Sequence, residues 1–362
     1  MSEDNLDTSE FALESVFVLH RHSVRAPTYY APNFEEIHPK SYPRGAGYLT
    51  RRGIDLCLSV AETWRSWYPE HINGSDHRTI FVRSSESPRC NETISAILHA
   101  LFSSGPEGLN LVPIYSPPPG YDKYVSCAGF DGDISSRMRK VYQEPVLEAN
   151  SANAKTVSEL HDFIKTCFKA PDASEYDAFV YIDGVTSNVY EGLPQPKFFT
   201  DNEAALKKFY HFAYHTVIEE FSPFYGFHLL QGMARRMQQV FDGELTTGQK
   251  WCDYSFHDFN LSSALLALEA EVREPKPNFL GAIFFELRRN QKDGSRVVDL
   301  YYCSGLQPDG RYSQREPLRM RWNQNSHRAT FDKLYEKMFN NIYVKTMRSL
   351  ETNKYTGDDA MV

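Results

Sequence analysis

Long apolar runs are missing from this sequence. The longest, such as FLGAIFFEL, fall far short of the ~20 residues that a membrane-spanning helix needs. The N-terminus, MSEDNLDTSEFALE, is acidic and lacks the basic stretch and the apolar stretch of a secretory signal. As the sequence stands, we expect a cytoplasmic protein without stable membrane insertion, whereas a chain trimmed of its leader would be secreted or lysosomal.

Paired cysteines and an excess of positive charge are missing as well. The six cysteines are dispersed without a CxxC pair, so a zinc or redox motif is not expected, and reduced, partly buried thiols are favoured. A formal net charge of -8 offers no basic face to nucleic acid or to an anionic membrane. Internal repeats and low-complexity tracts are also lacking. These absences leave a globular protein of 362 residues, long enough for one large domain or for a core with a substantial insertion.

Two strand–loop–helix units lie in the first third of the chain. A continuous apolar run at Ser15–His20 is typical of a strand buried on both faces, and a helix is predicted from about Ile54 to Trp67. A second strand is predicted at Thr79–Arg83, followed by a helix that continues to about Leu101. This alternation indicates a layered α/β fold, in which ligands bind beyond the carboxyl ends of the strands.

The middle of the chain loses this alternation and has a mainly helical pattern, although Tyr176–Ile182 fits a strand or a helix equally. The predicted division is a discontinuous α/β core at 11–112 and 232–347, a mainly helical cap inserted at 113–231, and disordered tails at 1–10 and 351–362. Within the second part of the core, Phe279–Leu287 and Val297–Tyr302 flank an Asp-Gly step. That arrangement predicts an antiparallel hairpin.

Positive charge is concentrated where the first predicted strand ends. Arg21, His22 and Arg25 fall within five residues. Guanidinium groups present planar forks of donors that match phosphate or carboxylate oxygens. Neighbouring cations favour the neutral form of a histidine, and a neutral imidazole is a nucleophile. The pattern fits a site that binds a phosphoryl group and attacks it, but a solvated basic loop or an arginine paired with a surface carboxylate explains the same residues.

A histidine–aspartate pair, His257 and Asp258, lies in the segment YSFHDFN. The imidazole can donate to a bound phosphate. The carboxyl can protonate a leaving group, because an adjacent dianionic ester raises the pKa of that carboxyl. The other interpretation is that Asp258 caps a helix beginning near Leu261 and that His257 packs in the core. Taken alone, the segment favours this second interpretation.

Four segments together resemble the motifs of the histidine acid phosphatases, the branch-two histidine phosphatases. LHRHSVRAP is similar to the family's RHGxRxP signature, and GAGYLTRRG to its glycine-rich LTxxG segment. FVRSSESPRCNETISAILHALF is similar to VRSTxxxRTxxSAxxxLxGLF, and YSFHDFNLSSALLAL to SAHDxTLxxLLxAL. All four occur in the family's order between Val16 and Ser304. The resemblance implies a phosphoglycerate-mutase-like layered α/β core with a central, mainly parallel sheet and an inserted helical cap.

The resemblance also implies an acid phosphatase that hydrolyses phosphate monoesters through a phosphohistidine intermediate. It assigns the nucleophile to His22, the phosphate contacts to Arg21, Arg25, Arg89 and His257, and the proton donor to Asp258. Since arginines neutralise the phosphate charge, neither a metal nor another cofactor is expected. The expected partner is a phosphorylated small molecule, lipid or peptide, and a homodimer is expected only because family members often form one.

Two positions depart from the family pattern. Ser23 replaces the glycine that follows the nucleophile, and a serine with positive φ would cost roughly 1–2 kcal/mol. The alternative function is therefore a pseudo-phosphatase that binds a phosphorylated ligand without turnover. Asp253 interrupts a strand that is usually apolar, so we expect a strand edge or a short strand there. A phosphotransferase like the phosphoglycerate mutases is a third interpretation, which the histidine–aspartate pair and the helical insertion disfavour.

Two sets of residues point to different substrates. Lysines suit a polyanionic substrate such as phytate, although helix lysines usually form a solvated face; they are Lys155, Lys165, Lys169, Lys197, Lys207 and Lys208. Aromatic side chains suit an apolar leaving group, although most aromatic residues belong to the core; they are Tyr29, Tyr30, Phe34, Phe198 and Phe199. The sequence leaves both alternatives open.

Overall fold

The computed structural model describes residues 10–30, 36, 39–72, 76–102, 111–118, 121–125, 139–141, 145, 153–245, 248–272 and 276–343. Its helices are α1 (Arg51–Trp67), α2 (Pro69–Ile72), α3 (Pro88–Phe102), α4 (Val157–Cys167), α5 (Glu175–Glu191), α6 (Lys197–Asp201), α7 (Glu203–Asp242), α8 (Asp258–Ala267) and α9 (Phe331–Phe339). Its strands are β1 (Phe11–Arg21), β2 (Ile80–Ser84), β3 (Trp251–Phe256), β4 (Ala282–Asn290), β5 (Arg296–Cys303), β6 (Glu316–Pro317) and β7 (Arg328–Thr330).

One mixed sheet forms the core of the molecule. Its strands lie in the order β2-β3-β1-β4-β5-β6, and β7 pairs with β5. β3 pairs in parallel with both β1 and β2, whereas β4 and β5 pair antiparallel with their neighbours. The prediction of a layered α/β fold is confirmed. The parallel part of the sheet consists of β1, β2 and β3, and His22, Arg89 and His257 follow these strands in the chain. The expected hairpin is confirmed as β4 and β5, with Leu287 opposite Val298.

β1 is buried on both faces, as its continuous apolar run predicts. Val16 and Val18 pack on one face in a cluster that includes Trp64 of α1. Phe17 and Leu19 pack on the opposite face, in a cluster built largely from α7 and α8. Because successive side chains of a strand point to opposite faces, such a strand needs a layer of helices on each side.

β3 lies inside the sheet although it carries a carboxylate. Asp253 is fully buried, and its Oδ1 lies 3.0 Å from Nε2 of His20 on β1. Its Oδ2 accepts a hydrogen bond of 3.1 Å from the indole of Trp251. The expectation of a strand edge at Asp253 is wrong, because neighbouring polar groups compensate the buried carboxylate. The six residues of β3 are an ordinary strand length.

The cap is mainly helical in its described residues, and its apolar centre comes from α4, α5 and the first half of α7. Tyr176–Ile182 lies within α5, whose start is fixed by a capping box between Ser174 and Asp177. α7 continues from the cap into the core cluster, so the predicted boundary at residue 231 falls inside one helix. The predicted disordered tails lie outside the described residues, apart from Glu10.

The described part of the chain has neither a membrane-spanning helix nor a disulfide. Within the described residues, no helix is both long and apolar enough to cross a membrane. The five cysteines that the structure describes are free thiols, and four of them are buried. The sixth, Cys127, lies outside the described residues.

Candidate active site

A cleft of about 480 Å³ opens at the carboxyl ends of the three parallel strands. β1 ends at Arg21, β2 at Ser84 and β3 at Phe256, and residues that follow each of these strands reach the cleft. The six site residues predicted from the sequence all line it, namely Arg21, His22, Arg25, Arg89, His257 and Asp258. Folding therefore brings together segments that lie far apart in the chain.

One ring nitrogen of His22 is hydrogen-bonded to the backbone of the next residue. Its Nδ1 lies 2.9 Å from the carbonyl oxygen of Ser23, and because a carbonyl oxygen only accepts, Nδ1 carries the proton. The lone pair is then on Nε2. Burial lowers the pKa of His22 well below its usual value, and the positive charges of Arg89, Arg21 and Arg25 lower it further. The imidazole is therefore neutral at neutral pH, with Nε2 available as a nucleophile.

Three arginines line the cleft with some of their donors unpaired. Arg21 forms an ion pair of 3.1 Å with Asp258, and Arg25 forms one of 2.6 Å with Asp183. The Nε atoms of Arg21, Arg25 and Arg89 are nevertheless buried and have no hydrogen-bond partner among the described residues. Since buried donors are nearly always paired, three unpaired cationic donors in one cleft indicate a site for an anion.

His257 lies beside the nucleophile, with 5.6 Å between its ring centroid and that of His22. Its Nδ1 lies 3.3 Å from Nη2 of Arg89, and its Nε2 lies 3.1 Å from Oγ of Ser85. A guanidinium only donates, so Nδ1 accepts and Nε2 carries the proton. Burial, followed by the charges of nearby arginines, lowers the pKa of His257 well below its usual value. His257 is therefore a neutral hydrogen-bonding group of the cleft.

Asp258 is the first residue of α8, and its Oδ2 lies beside the guanidinium of Arg21. The interpretation in which Asp258 caps a helix beginning near Leu261 is wrong, because the helix already begins at Asp258. The amide of Asn260 supplies a capping interaction instead, since its Oδ1 accepts a bond of 3.3 Å from the backbone N–H of His257. The carboxyl of Asp258 lines the cleft, where its Oδ1 also accepts a hydrogen bond of 2.9 Å from the backbone N–H of Phe259.

Ser23 does not adopt the conformation that requires glycine. Its φ is not positive, so the expected backbone strain does not arise. The side chain is fully buried, and its hydroxyl donates a hydrogen bond of 2.8 Å to the carbonyl of Gly53 in α1. Its backbone N–H donates to the hydroxyl of Thr93 in α3 at 2.9 Å. Ser23 therefore ties the loop after β1 to two helices and does not line the cleft.

α1 approaches the same loop most closely at Gly53. A Cβ at this position would lie 2.0 Å from the carbonyl oxygen of Val24, well inside van der Waals contact. Thr50 caps α1 by accepting a hydrogen bond of 2.9 Å from the backbone N–H of Gly53. The final glycine of GAGYLTRRG is thus required by a close backbone approach, directly behind the loop that carries His22.

Sequence reasoning missed a polar cluster formed by Asp183, Tyr210 and Lys276. Asp183 of α5 accepts from Arg25 at 2.6 Å and from the hydroxyl of Tyr210 at 3.0 Å, and it lies 3.9 Å from Nζ of Lys276. Lys276 also donates to the Tyr210 hydroxyl. Burial acts to raise the pKa of Asp183, but Arg25, Lys276 and Arg21 outweigh it and hold that pKa below its usual value. Burial lowers the pKa of Lys276 to about 8. The only sequence signal is an aspartate directly after the apolar run AFVYI.

Most other residues of the cleft wall are aromatic. Besides Asp183, the wall consists of Thr28, Tyr29, Glu86, Val125, Tyr176, Phe179, Tyr210, Tyr225 and Phe259. Of the aromatic residues considered in the sequence, Tyr29 lines the cleft, Tyr30, Phe198 and Phe199 pack in the cap, and Phe34 lies outside the described residues. None of the six lysines considered lines the described part of the cleft, and Lys165, Lys197 and Lys207 pair with acidic residues on their own helices.

Two curated human proteins resemble this chain in sequence, although no protein-family model matches it. Prostatic acid phosphatase of Homo sapiens is 28% identical over 204 residues, which cover 52% of this chain and 49% of that protein. Testicular acid phosphatase of Homo sapiens is 28% identical over 124 residues, which cover 32% of this chain and 29% of that protein. The chain thus spans about half the length of the first of these relatives, and less of the second.

Solved phytases resemble it over nearly the whole chain. The apo phytase of Hafnia alvei matches with a TM-score of 0.65 at 14% identity, covering 92% of this chain and 97% of that chain. The phytase of Klebsiella sp. ASR1 matches with a TM-score of 0.63 at 15% identity, covering 91% and 94%. At such identities the likeness establishes a shared fold.

Proposed function

We propose that the chain is a histidine acid phosphatase and that it hydrolyses phosphate monoesters through a phosphohistidine intermediate, a function that its likeness to two human acid phosphatases and its shared fold with solved phytases support. The observation that carries this proposal is the neutral imidazole of His22, with Nε2 available in a cleft that three arginines line with unpaired donors. Phosphoryl transfer needs a nucleophile and preorganised positive charge around the phosphoryl oxygens. Both parts are present in one cleft.

In the first step, Arg21, Arg25 and Arg89 bind the phosphoryl oxygens of the ester. Nε2 of His22 attacks phosphorus, and the bond from phosphorus to the ester oxygen breaks. The electron pair of that bond goes to the alcohol oxygen, which takes a proton from Asp258 as the alcohol leaves. In this step Asp258 is protonated, because Arg21, its partner in the free protein, binds the phosphate and the dianionic ester lies beside the carboxyl. The arginines stabilise the negative charge of the transition state.

In the second step, water attacks the phosphorus of phosphorylated His22. The carboxylate of Asp258 takes a proton from that water, the bond from nitrogen to phosphorus breaks, and its electron pair returns to Nε2. Inorganic phosphate leaves, and both residues regain their starting protonation states. The proposal includes no metal or other cofactor, since guanidinium groups supply the positive charge.

The setting of Ser23 supports turnover rather than a pseudo-phosphatase. That alternative arose because a serine in a glycine position strains the backbone or crowds the phosphate. The φ of Ser23 is not positive, and its side chain is bonded to Gly53. Neither reason for inactivity applies to this conformation.

Hydrolysis of p-nitrophenyl phosphate by the purified chain, without added metal, tests the proposed function. We expect turnover that His22→Ala abolishes and that His215→Ala leaves unchanged, because His215 is exposed on α7 outside the cleft. A folded protein that binds phosphate without turnover would contradict the proposal and favour the pseudo-phosphatase. Transfer of the phosphoryl group to an added alcohol in preference to water would favour the phosphotransferase.

A further inference from the structure

Resting on the proposed function, we propose that the cleft selects monophosphate esters of flat aromatic alcohols and discriminates against inositol polyphosphates. The inference concerns the leaving group, which the phosphate-binding residues do not choose. Two features of the cleft wall bear on the leaving group, namely its aromatic rings and the small number of cations beyond the arginines.

The wall beside the phosphate site is built from stacked aromatic rings. Tyr176 and Phe179 of α5 lie 6.3 Å apart, and Phe179 stacks on Tyr210 of α7 at 4.7 Å. Farther along the cleft, Tyr225 of α7 stacks on Phe259 of α8 at 5.5 Å. Tyr214 joins the two groups, since its ring lies 6.3 Å from that of Tyr210 and 5.3 Å from that of Phe259.

The aromatic wall is also accessible to a ligand. Tyr29 is 56% exposed and Tyr176 is 39% exposed, although both line the cleft. Large aromatic side chains left in water at a concave site mark a binding surface. A planar aromatic leaving group can stack offset or edge to face on such rings.

The charge of the wall opposes a second phosphate. Every cation that lines the described part of the cleft is one of the three arginines of the phosphate site. The other ionised residues beyond that site are Glu86 and Asp183. Lys276, which lies close by, is already engaged with Asp183 and Tyr210. Further phosphates on a substrate would lie near Glu86 and Asp183 and would meet no additional cationic side chain among the described residues that line the cleft, which costs binding free energy.

This inference separates the chain from the solved phytases that share its fold. A common fold does not fix the substrate, because specificity lies in the residues of the site. Among the described residues that line the cleft beyond the three arginines, aromatic rings and the carboxylates of Glu86 and Asp183 are present, and no lysine is. The favoured chemistry is an aryl phosphate, either as a free small molecule or as phosphotyrosine in a peptide.

Binding of phosphonates by calorimetry tests the inference without depending on turnover or on how well an alcohol leaves. We expect phenylphosphonate to bind about tenfold more tightly than methylphosphonate. We expect Tyr176→Ala to reduce that ratio by about threefold, and Tyr121→Ala, a control on a tyrosine that is 80% exposed and outside the cleft, to leave it unchanged. Equal affinities for the two phosphonates would overturn the inference.

Competition between substrates gives a second, independent test. We expect kcat/KM for O-phosphotyrosine or a phosphotyrosyl peptide to exceed that for myo-inositol hexakisphosphate by about tenfold or more. The ratio of kcat/KM for O-phosphotyrosine to kcat/KM for the phosphotyrosyl peptide shows whether the free or the peptide-bound aryl phosphate is the better substrate. Hydrolysis of either one supports an aryl phosphate as the substrate class. A higher kcat/KM for inositol hexakisphosphate would overturn the inference. Failure of the proposed function would be distinct, because no ester would then show hydrolysis that depends on His22.

Discussion

At the scale of single residues, the chemistry depends on which nitrogen of His22 carries its proton. The carbonyl oxygen of Ser23 accepts a hydrogen bond from Nδ1–H, so the proton stays on Nδ1 and Nε2 keeps its lone pair. Burial lowers the pKa of the ring, and the charges of Arg89, Arg21 and Arg25 lower it further, so the imidazole stays neutral. The same three arginines therefore help to keep His22 neutral and, in the proposed mechanism, bind the phosphoryl group that His22 attacks.

The pH dependence of activity follows from the lowered pKa of His22. Because that pKa lies well below 6.5, the imidazole remains neutral and nucleophilic as the pH falls below 6.5. We expect the acidic limb of kcat/KM, which reports the free enzyme, to lie below pH 6.5. A profile across the acidic and neutral range, corrected for the ionisation of the ester, measures it. A limb at or above pH 6.5 would show that the buried arginines do not control this histidine.

Asp258→Asn tests the proton donor. We expect kcat for alkyl phosphates, which have poor leaving groups, to fall by about 10²–10⁴-fold, and kcat for p-nitrophenyl phosphate to fall much less, because only poor leaving groups need an acid. Steady-state rates with glycerol phosphate and p-nitrophenyl phosphate measure the difference. Asp332→Asn, at a carboxylate that is 86% exposed in α9, serves as the control. Equal slowing of both esters would remove Asp258 from this role.

At the scale of elements, the loop after β1 is held by α1 and α3. Ser23 bonds to Gly53 in α1 and to Thr93 in α3, and Gly53 leaves no space for a Cβ beside Val24. The position of His22 therefore depends on how closely these two helices pack behind it.

Gly53→Ala is expected to impair both folding and catalysis. The added Cβ would lie 2.0 Å from the carbonyl oxygen of Val24, so the loop or α1 must move. We expect the free energy of unfolding to fall by about 1–3 kcal/mol, as in other overpacked sites, and kcat/KM to fall with it. Urea unfolding and steady-state kinetics check the two effects.

Two matched variants complete this test. Ser59→Ala changes an exposed position of the same helix and is expected to alter neither quantity. Ser23→Gly removes one buried hydrogen bond, so we expect a small loss of stability with activity retained. Wild-type stability and activity in Gly53→Ala would show that the close approach of α1 is not needed.

Some elements of the fold and of the site could be predicted from local sequence patterns, whereas others depend on contacts between distant segments. β1, α1 and the β4–β5 hairpin follow from apolar periodicity and a turn signal, which depend on neighbouring residues alone. The site residues were predictable only as a set, because each segment by itself also fits a solvated loop or a capped helix. The burial of Asp253 depends on the pairing of β3 with β1, which brings His20 beside it. The contact of Asp183 with Arg25 likewise requires the cap to fold over the core, and no local pattern encodes that.

At the scale of the whole molecule, the cap and the core meet at the active site. α7 runs without interruption from the cap cluster into the core cluster, and Asp183 of the cap binds an arginine of the phosphate site. The aromatic wall of the cleft and the arginines that line it are therefore held in a fixed arrangement. The expected homodimer and compartment stay predictions.

The stability of the folded chain is expected to fall in acid. Burial lowers the pKa values of His22, His71, His161, His228 and His257, to about 4 for His228. Below pH 6.5 the unfolded chain therefore binds more protons than the folded chain. The contribution of these histidines to the free energy of unfolding is at its full value above pH 6.5 and is lost as the pH drops through their lowered pKa values. Calorimetric Tm values at neutral and acidic pH measure this decrease.

A pair of histidine variants isolates one contribution to this decrease. His228→Gln should reduce the dependence of Tm on pH, because it removes a group whose pKa is lowered by burial. His215→Gln should not, since that side chain is 71% exposed. A Tm that rises as the pH falls would contradict the predicted linkage.

The central claim is that His22 carries the phosphoryl group during turnover. The most direct measurement is to mix enzyme and aryl phosphate, stop the reaction in alkali within one turnover, and locate the phosphoryl group by peptide mass spectrometry. We predict phosphorylation of the peptide that contains His22, at Nε2, and none in His22→Ala. Turnover without a phosphorylated His22, or with the phosphoryl group on another residue, would contradict the account.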